Sequence, residues 1–301
     1  MHNDLVELGW TEQHWNRIYS AITEEAQKAR VAAQVLSVVG PLDPTTVAVP
    51  PYTLSATANP QQVPAKTPPQ RLSVDSDPTL HLTKISVNVY LRSREAADPE
   101  LNAALTMFRR AANYIARIED ALVFNGRPGP DALPQFGVGR IPEVYSVAGG
   151  GSVEGLLPFS DAAGARSFFS VAESPGNGRG SQVVTAIIRS VSALDEAGQL
   201  GPYGCVLSPD LFEAICTPNE ALILPRDRIL PFLQGPLLRS SAIPAPCGVV
   251  LALSASPIEL VVASDIRLKF LQTTEQPRLC FQVSERVALR IKESAAISIL
   301  R

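Results

Sequence analysis

Residues 98 to 126 read DPELNAALTMFRRAANYIARIEDALVFNG, and the rest of the chain is organised around this stretch. Asp98 is suited to cap a helix, its carboxylate accepting free N–H groups of the first turn. Pro99 fits the first helical position, where a missing N–H costs nothing, and Glu100 complements the positive end of the dipole. Leu101, Leu105, Phe108, Ala112, Ile115 and Leu122 recur at helical steps, with Glu119 the one gap in a stripe made for burial. A second stripe of Ala104, Met107, Ala111, Tyr114, Ile118 and Ala121 predicts cover on more than one side. Asn125-Gly126 supplies the stop. Such a rod is roughly 40 Å long, enough to span a domain.

Upstream, Thr11 is a candidate cap for a helix over 12 to 34, with Trp15, Ile18, Ile22, Ala26 and Ala29 on one face. That face packs on its own subunit or receives another chain. A short β run, 35 to 39, closes at Gly40-Pro41. Prolines then recur to Pro78 with no helical period, which reads as an extended arm, with disorder as the competing view. From His81 to Leu91 apolar residues alternate as in a strand. Residues 52 to 91 are therefore expected to form a two-stranded arm returning on itself.

Downstream, residues 127 to 180 are rich in Gly, Pro and Ser. GNGRG at 176 to 180 lacks the GxxxxGK[ST] spacing and reads as a connector rather than a phosphate loop. Helices are predicted over 181 to 197, 209 to 216 and 226 to 233. Strands are predicted at 205 to 207, 249 to 253, 258 to 262, 266 to 271, 279 to 283 and 287 to 291. The apolar end, 295 to 300, is expected to be covered.

Composition narrows the function. Of 301 residues, 46% are hydrophobic, and 26 basic residues against 29 acidic give a net charge of −3. There is no electrostatic case for nucleic-acid binding. No apolar run is long enough to span a bilayer, and the first ten residues lack the pattern of a signal peptide. A soluble, cytoplasmic protein is expected, without nucleic acid or membrane as partner. Cys205, Cys216, Cys247 and Cys280 are scattered and read as reduced, buried groups. His2, His14 and His81 stand near no nucleophile elbow. Glu119 and Asp120 point about 100° apart on a helix, and pairing with Arg117 or a neighbouring chain is expected. No catalytic residue, metal ligand or cofactor is assigned.

The order of elements resembles the encapsulins, nanocompartment shell proteins with the HK97-like fold of tailed-phage capsid proteins. The residues that carry the resemblance are A-x6-E-D-x3-F-x-G over Ala112 to Gly126, Gly201-Pro202-Tyr203 with Val206-Leu207-x-Pro209, and the closing strands from Arg286 to Leu300. It implies an α+β fold with an N-terminal amphipathic helix (1–34), a peripheral domain (35–51, 92–130 and 255–301), an extended loop (52–91) and an axial domain (131–254).

It also implies a homo-oligomeric icosahedral shell, T=1 by default. The shell would enclose a cargo enzyme, a ferritin-like iron-storage protein or a peroxidase serving oxidative-stress defence, held through a C-terminal targeting peptide. Carried over by position, the peptide contacts would be Trp15, Ile18, Tyr19, Ile22, Leu289 and Ile291. The pore loop would be Thr217, Pro218, Asn219, Glu220, Ala221 and Leu222, with Glu220 its only charge. Two departures stand out: residues 127 to 180 are longer than the family's connection, and Leu42-Asp43 replace its usual Gly-Trp. The alternatives are a prophage-type capsid protein packaging DNA and, less supported, a hydrolase.

Overall fold

The structure is a computed structural model, and it describes residues 9–55, 73–75, 79–129, 132–133, 137, 141–157, 166–171, 178–218, 223–273 and 278–301. Helix α1 (Glu12–Ala29) and the single turn α2 (Ala32–Val35) lead into β1 (Ser37–Val39) and β2 (Ala48–Val49). The arm follows as β3 (Thr53–Ser55) and β4 (Ser73–Asp75), then β5 (Leu80–His81) and β6 (Thr83–Arg92). A turn of helix, α3 (Ser93–Ala96), precedes the long helix α4 (Asn102–Asn125). Then come β7 (Tyr145–Gly149), β8 (Ser167–Phe169), α5 (Gly178–Glu196), β9 (Tyr203–Leu207), α6 (Pro209–Cys216) and α7 (Pro225–Leu233). The chain closes through β10 (Gln234–Arg239), β11 (Gly248–Ala252), β12 (Ile258–Thr273), β13 (Arg278–Ile291) and β14 (Ile297–Leu300).

Two five-stranded sheets carry the fold. The first has the order β1-β12-β13-β6-β7 and the second β10-β9-β11-β14-β8. Along β6, Ile85, Val87, Val89 and Leu91 are buried at every second position, the pattern of a strand with one face against a core. They join Leu105, Phe108, Ala112 and Ile115 of α4 in one apolar cluster. Helix α1 packs on α4 and reaches β12, so the long helix lies covered on two sides, as its two stripes predict except at Met107, which is exposed. In the second sheet β9, β11 and β14 are buried throughout. The apolar chain end is thus paired on both edges, with β11 and with β8. Of the strands within residues 52 to 91, β6 belongs to the first sheet; of those within 255 to 301, β14 belongs to the second. The arm returns on itself: Thr53–Ser55 pairs antiparallel with Ser73–Asp75.

Several boundaries differ from the sequence reading, each for a local reason. Helix α4 begins at Asn102 rather than Pro99. Asp98 does accept backbone N–H groups, from Glu100 and Asn102 at 3.0 Å each, but it closes a turn ahead of the helix. Leu101, at φ 53°, links that turn to the first helical residue. The leading helix ends at Ala29 and restarts at Ala32, because Asp120 takes the Val31 and Ala32 N–H groups from the side. The four C-terminal strand segments merge into two long strands, with register shifts between Val262 and Ser264, Ser264 and Arg267, and Phe270 and Gln272. Bulges carry the pairing past the polar interruption that broke the pattern. Strands β7, β8 and β10 were not anticipated. β7 lies on the open side of β6 and β8 on that of β14, while β10 pairs with β9.

The stop at Gly126 is tightly specified. Its φ is +64°, and a Cβ there would sit 2.2 Å from the Val153 carbonyl oxygen and 2.4 Å from the Gly155 nitrogen. Both obstacles are backbone and neither can rotate away. Gly126→Ala is expected to lower stability by about 2 kcal/mol or more, measured as a shift in denaturation midpoint.

Candidate functional site

Helix α1 begins with a reciprocal cap. Thr11 Oγ1 accepts from the His14 N–H, and His14 Nδ1 accepts from the Thr11 N–H, both at 3.3 Å. Just ahead, Trp10 anchors the helix start. Its ring stacks on Phe281 at 5.3 Å, meets Trp15 edge-on at 5.2 Å and donates Nε1–H to the Ala96 carbonyl at 2.8 Å. Trp15 in turn stacks on Tyr19 at 6.0 Å, and Tyr19 Oη donates to the Leu268 carbonyl at 3.4 Å.

The six residues expected to hold a cargo peptide are distributed unevenly. Ile18 and Ile22 are fully buried within the subunit core, and Trp15 retains 9% exposure at its margin. Tyr19 is half-buried on the helix flank. Leu289 is buried and Ile291 half-buried, and they pair with Leu260 and Ile258. Tyr19 meets β12 at Leu268, eight residues from Leu260 and roughly 25 Å along a strand. The structure therefore gathers Trp15, Ile18, Tyr19 and Ile22 on α1 but places Leu289 and Ile291 elsewhere. The Trp15 Nε1–H has no acceptor among the described residues.

Of the expected pore loop, Thr217 caps α6, its Oγ1 donating to the Glu213 carbonyl at 3.0 Å. Pro218 follows it, while Asn219, Glu220, Ala221 and Leu222 lie outside the described residues. The chain is described again from Ile223, which is 50% exposed. Helices α6 and α7, on either side of the loop, both pack on α5.

The densest electrostatics lie at the far end of α1. Arg30 donates from Nε to Glu119 at 2.8 Å, from Nη2 to Asp265 at 3.0 Å and from Nη2 to Glu285. Glu119 and Glu285 are completely buried, whereas Asp265 reaches solvent. Four elements meet here: α1's end, α4, β12 and β13. The expected partner of Glu119, Arg117, is replaced by Arg30, because Glu119 points towards the β sheet. Asp120 instead accepts from the Val31 N–H at 3.0 Å and the Ala32 N–H at 2.8 Å.

One arginine faces three buried carboxyl groups and one exposed one, so the buried groups hold protons unusually well. Burial raises the Glu119 pKa against the lowering pull of Arg30. Burial, then the charge of Glu119, raises that of Glu285. Glu119 Oε1 and Glu285 Oε2 are buried without a hydrogen-bond partner among the described residues, so a proton on either carboxyl removes a charge that burial disfavours. Burial, then Glu119, pushes Asp120 up to about 8. A carboxyl raised in the folded state stabilises the fold fully below its ordinary range and loses that contribution as pH rises through the raised value. For Asp120 the loss runs from about 4 to about 8. Asp120→Asn cannot ionise and is expected to flatten the fall in stability between about pH 4 and about pH 8, read from denaturant midpoints. An unchanged slope would place the titrating group elsewhere.

Sequence reasoning missed Arg30, Asp265 and Glu285 as a group. The signal was Glu119, a charge in a stripe otherwise made for burial. Other chemistry is sparse. Among the described residues no His, Cys, Asp and Glu group could hold a metal ion. Cys205 is buried in β9, where desolvation raises its thiol pKa and keeps it protonated. No described helix is long and apolar enough to cross a membrane.

Comparison with known proteins agrees with this architecture. The Linocin_M18 family model, described as encapsulating protein for peroxidase, matches residues 7–132 and 151–288. The chain is 25% identical over 297 residues to the type 1 encapsulin shell protein EncA of Myxococcus xanthus (strain DK1622), across 96% of this chain and 92% of that one. Among solved structures, a virus-like particle from Pyrococcus furiosus matches with a TM-score of 0.63 at 14% identity, covering 97% of this chain and all of its own. The capsid of Myoviridae phage XM1 matches with a TM-score of 0.59 at 12% identity, over 88% of each chain. The fold is the HK97-like capsid fold.

Proposed function

Because the chain belongs to the Linocin_M18 family of encapsulating proteins, the encapsulin shell proteins, we propose that its copies close into an icosahedral cytoplasmic compartment around a cargo enzyme. The family is structural rather than catalytic, and the role follows from architecture. One observation carries the reading. In the arm, β3 pairs antiparallel with β4 as a separate two-stranded sheet, joined to neither five-stranded sheet, with the Leu54 N–H donating to the Lys292 carbonyl at 2.9 Å. A two-stranded ribbon is marginal in water on its own, so further support for it is sought in a neighbouring copy.

On this proposal the peripheral domain (35–51, 92–130 and 255–301) holds α4 with β1, β12 and β13 of the first sheet, and the axial domain (131–254) holds α5, α6 and α7 with β8 to β11 of the second. Residues 52 to 91 form the extended loop rooted in β6, and β7 and β14 each pair into the sheet of the other domain. The smallest shell, T=1, is the default. The loop 217 to 222 lines a pore at the axial end, where a ring of Glu220 carboxylates favours cations. A peroxidase is the favoured cargo, since the family description names one; a ferritin-like iron-storage protein is the other candidate. Either would serve defence against oxidative stress. A targeting peptide at the cargo's C-terminus would dock against the α1 flank at Trp15 and Tyr19, with Ile18 and Ile22 fixing the helix beneath. Leu289 and Ile291 would belong to a separate part of the inner surface.

Particles purified from cells, treated with nuclease and protease and then opened, should release a protected enzyme with a short C-terminal tail. Protected DNA of uniform length would support the capsid alternative instead. The near-neutral net charge of −3 favours the enzyme.

A further inference from the structure

A cleft of about 300 Å³ lies where the end of α1, the middle of α4 and the turn after β10 come together. This is the lower end of the range that takes small ligands. Asn113, Arg117 and Asp120 line it from α4, at spacings that put them on one helical face. The two outer members of that row are engaged. Asn113 donates its amide to Glu25 at 2.9 Å, and Asp120 holds the Val31 and Ala32 N–H groups. Arg117, between them, is half-buried and forms no ion pair or hydrogen bond from its side chain with a described residue.

The second wall brings another cation in the same condition. Arg239 closes β10, is exposed, and also has no side-chain partner among the described residues. Ser240 and Ser241 follow it at the cleft. The turn is held firmly. Ser240 Oγ accepts from the Ala242 N–H at 3.2 Å, and Asn125 donates to the Ala242 carbonyl at 2.7 Å. Gly137, at φ +85°, lies so close that a Cβ would meet the Ala242 Cα at 2.8 Å. Ser241 is left exposed, with hydroxyl and N–H both without a described partner.

We propose that this cleft binds a phosphate group, free or carried on a small phosphomonoester, between the Arg117 and Arg239 guanidinium groups, with Ser241 as a further donor. Two forks and a hydroxyl from separate walls match a tetrahedral dianion, whose oxygens point in several directions, better than a planar carboxylate. The lining carboxyl, Asp120, is turned to the α2 backbone and holds its proton towards neutral pH, so it opposes an anion weakly. The cleft is larger than inorganic phosphate requires, which leaves space for the remainder of an ester.

The test is calorimetric titration of the assembled protein with inorganic phosphate and with AMP, at fixed ionic strength. Wild type is compared with Arg117→Gln and Arg239→Gln. Saturable binding to wild type, weakened about tenfold or more in each variant, is the expected result. Tighter binding of AMP would identify an ester as the ligand, and equal binding the free anion. Neither arginine has a side-chain partner among the described residues to lose, so both variants should keep the wild-type melting temperature. Absence of saturable binding, or binding unchanged in both variants, would overturn the proposal.

Discussion

Arg30→Ala is expected to lower folding stability by about 3–5 kcal/mol, a loss that outstrips its single side chain. Among the described residues the guanidinium is the one cation bonded to Glu119, Glu285 and Asp265, and the first two carboxyls have no solvent to turn to. Removing it leaves two buried acids that must either stay protonated or unfold the junction. The variant should therefore be damaged most at alkaline pH, where keeping those protons is hardest. Pairing it with Glu285→Gln removes one of the stranded acids, and the double variant should be more stable than the sum of the single losses implies. Additive losses, measured by urea denaturation at neutral and alkaline pH, would mean that the cluster is not energetically coupled.

Phe281→Ala should be comparably severe, at about 3–5 kcal/mol. Phe281 is fully buried on β13. Its ring touches Trp10 at 5.3 Å, Phe108 at 5.3 Å and Phe270 at 5.3 Å. Those rings come from the segment before α1, from α4 and from β12, so one truncation opens a cavity where three elements join. The loss should include detachment of the Trp10 segment, visible as a red shift and quenching change in tryptophan emission. A stable variant with unchanged emission would contradict the packing described here.

Much of this fold is legible in the sequence because burial leaves periodic marks. The first stripe of α4, the alternation from Leu82 to Leu91 and the apolar end at Ile297–Leu300 fall where the structure buries them, whereas in the second stripe Met107 is exposed and Tyr114 half-buried. Polar residues inside apolar elements were harder to interpret one at a time. Glu119 interrupts α4, Ser264-Asp265 interrupts β12 and Ser284-Glu285 interrupts β13, and each reads alone as a break. In three dimensions they converge on Arg30. Pairwise periodicity within an element carries no information about which distant break it will meet.

The candidate site was legible in kind but not in membership. The helical face of Trp15, Ile18 and Ile22 was evident, yet spacing cannot distinguish a face turned to its own spine helix from one offered to a partner. Leu289 and Ile291 were grouped with it by family resemblance, and the long pairing of β12 with β13 carries them away from Tyr19. Strands β7 and β8 escaped notice because Gly, Pro and Ser dominate their surroundings, and a short edge strand needs few apolar residues when its neighbour supplies the buried face.

The central claim is that many copies of this chain close into a shell, and electron microscopy of the protein expressed alone tests it most directly. Uniform hollow particles with icosahedral symmetry are the predicted result, and their diameter would give the lattice. Fields without particles, with only a monomer or small oligomer in solution, would contradict the account.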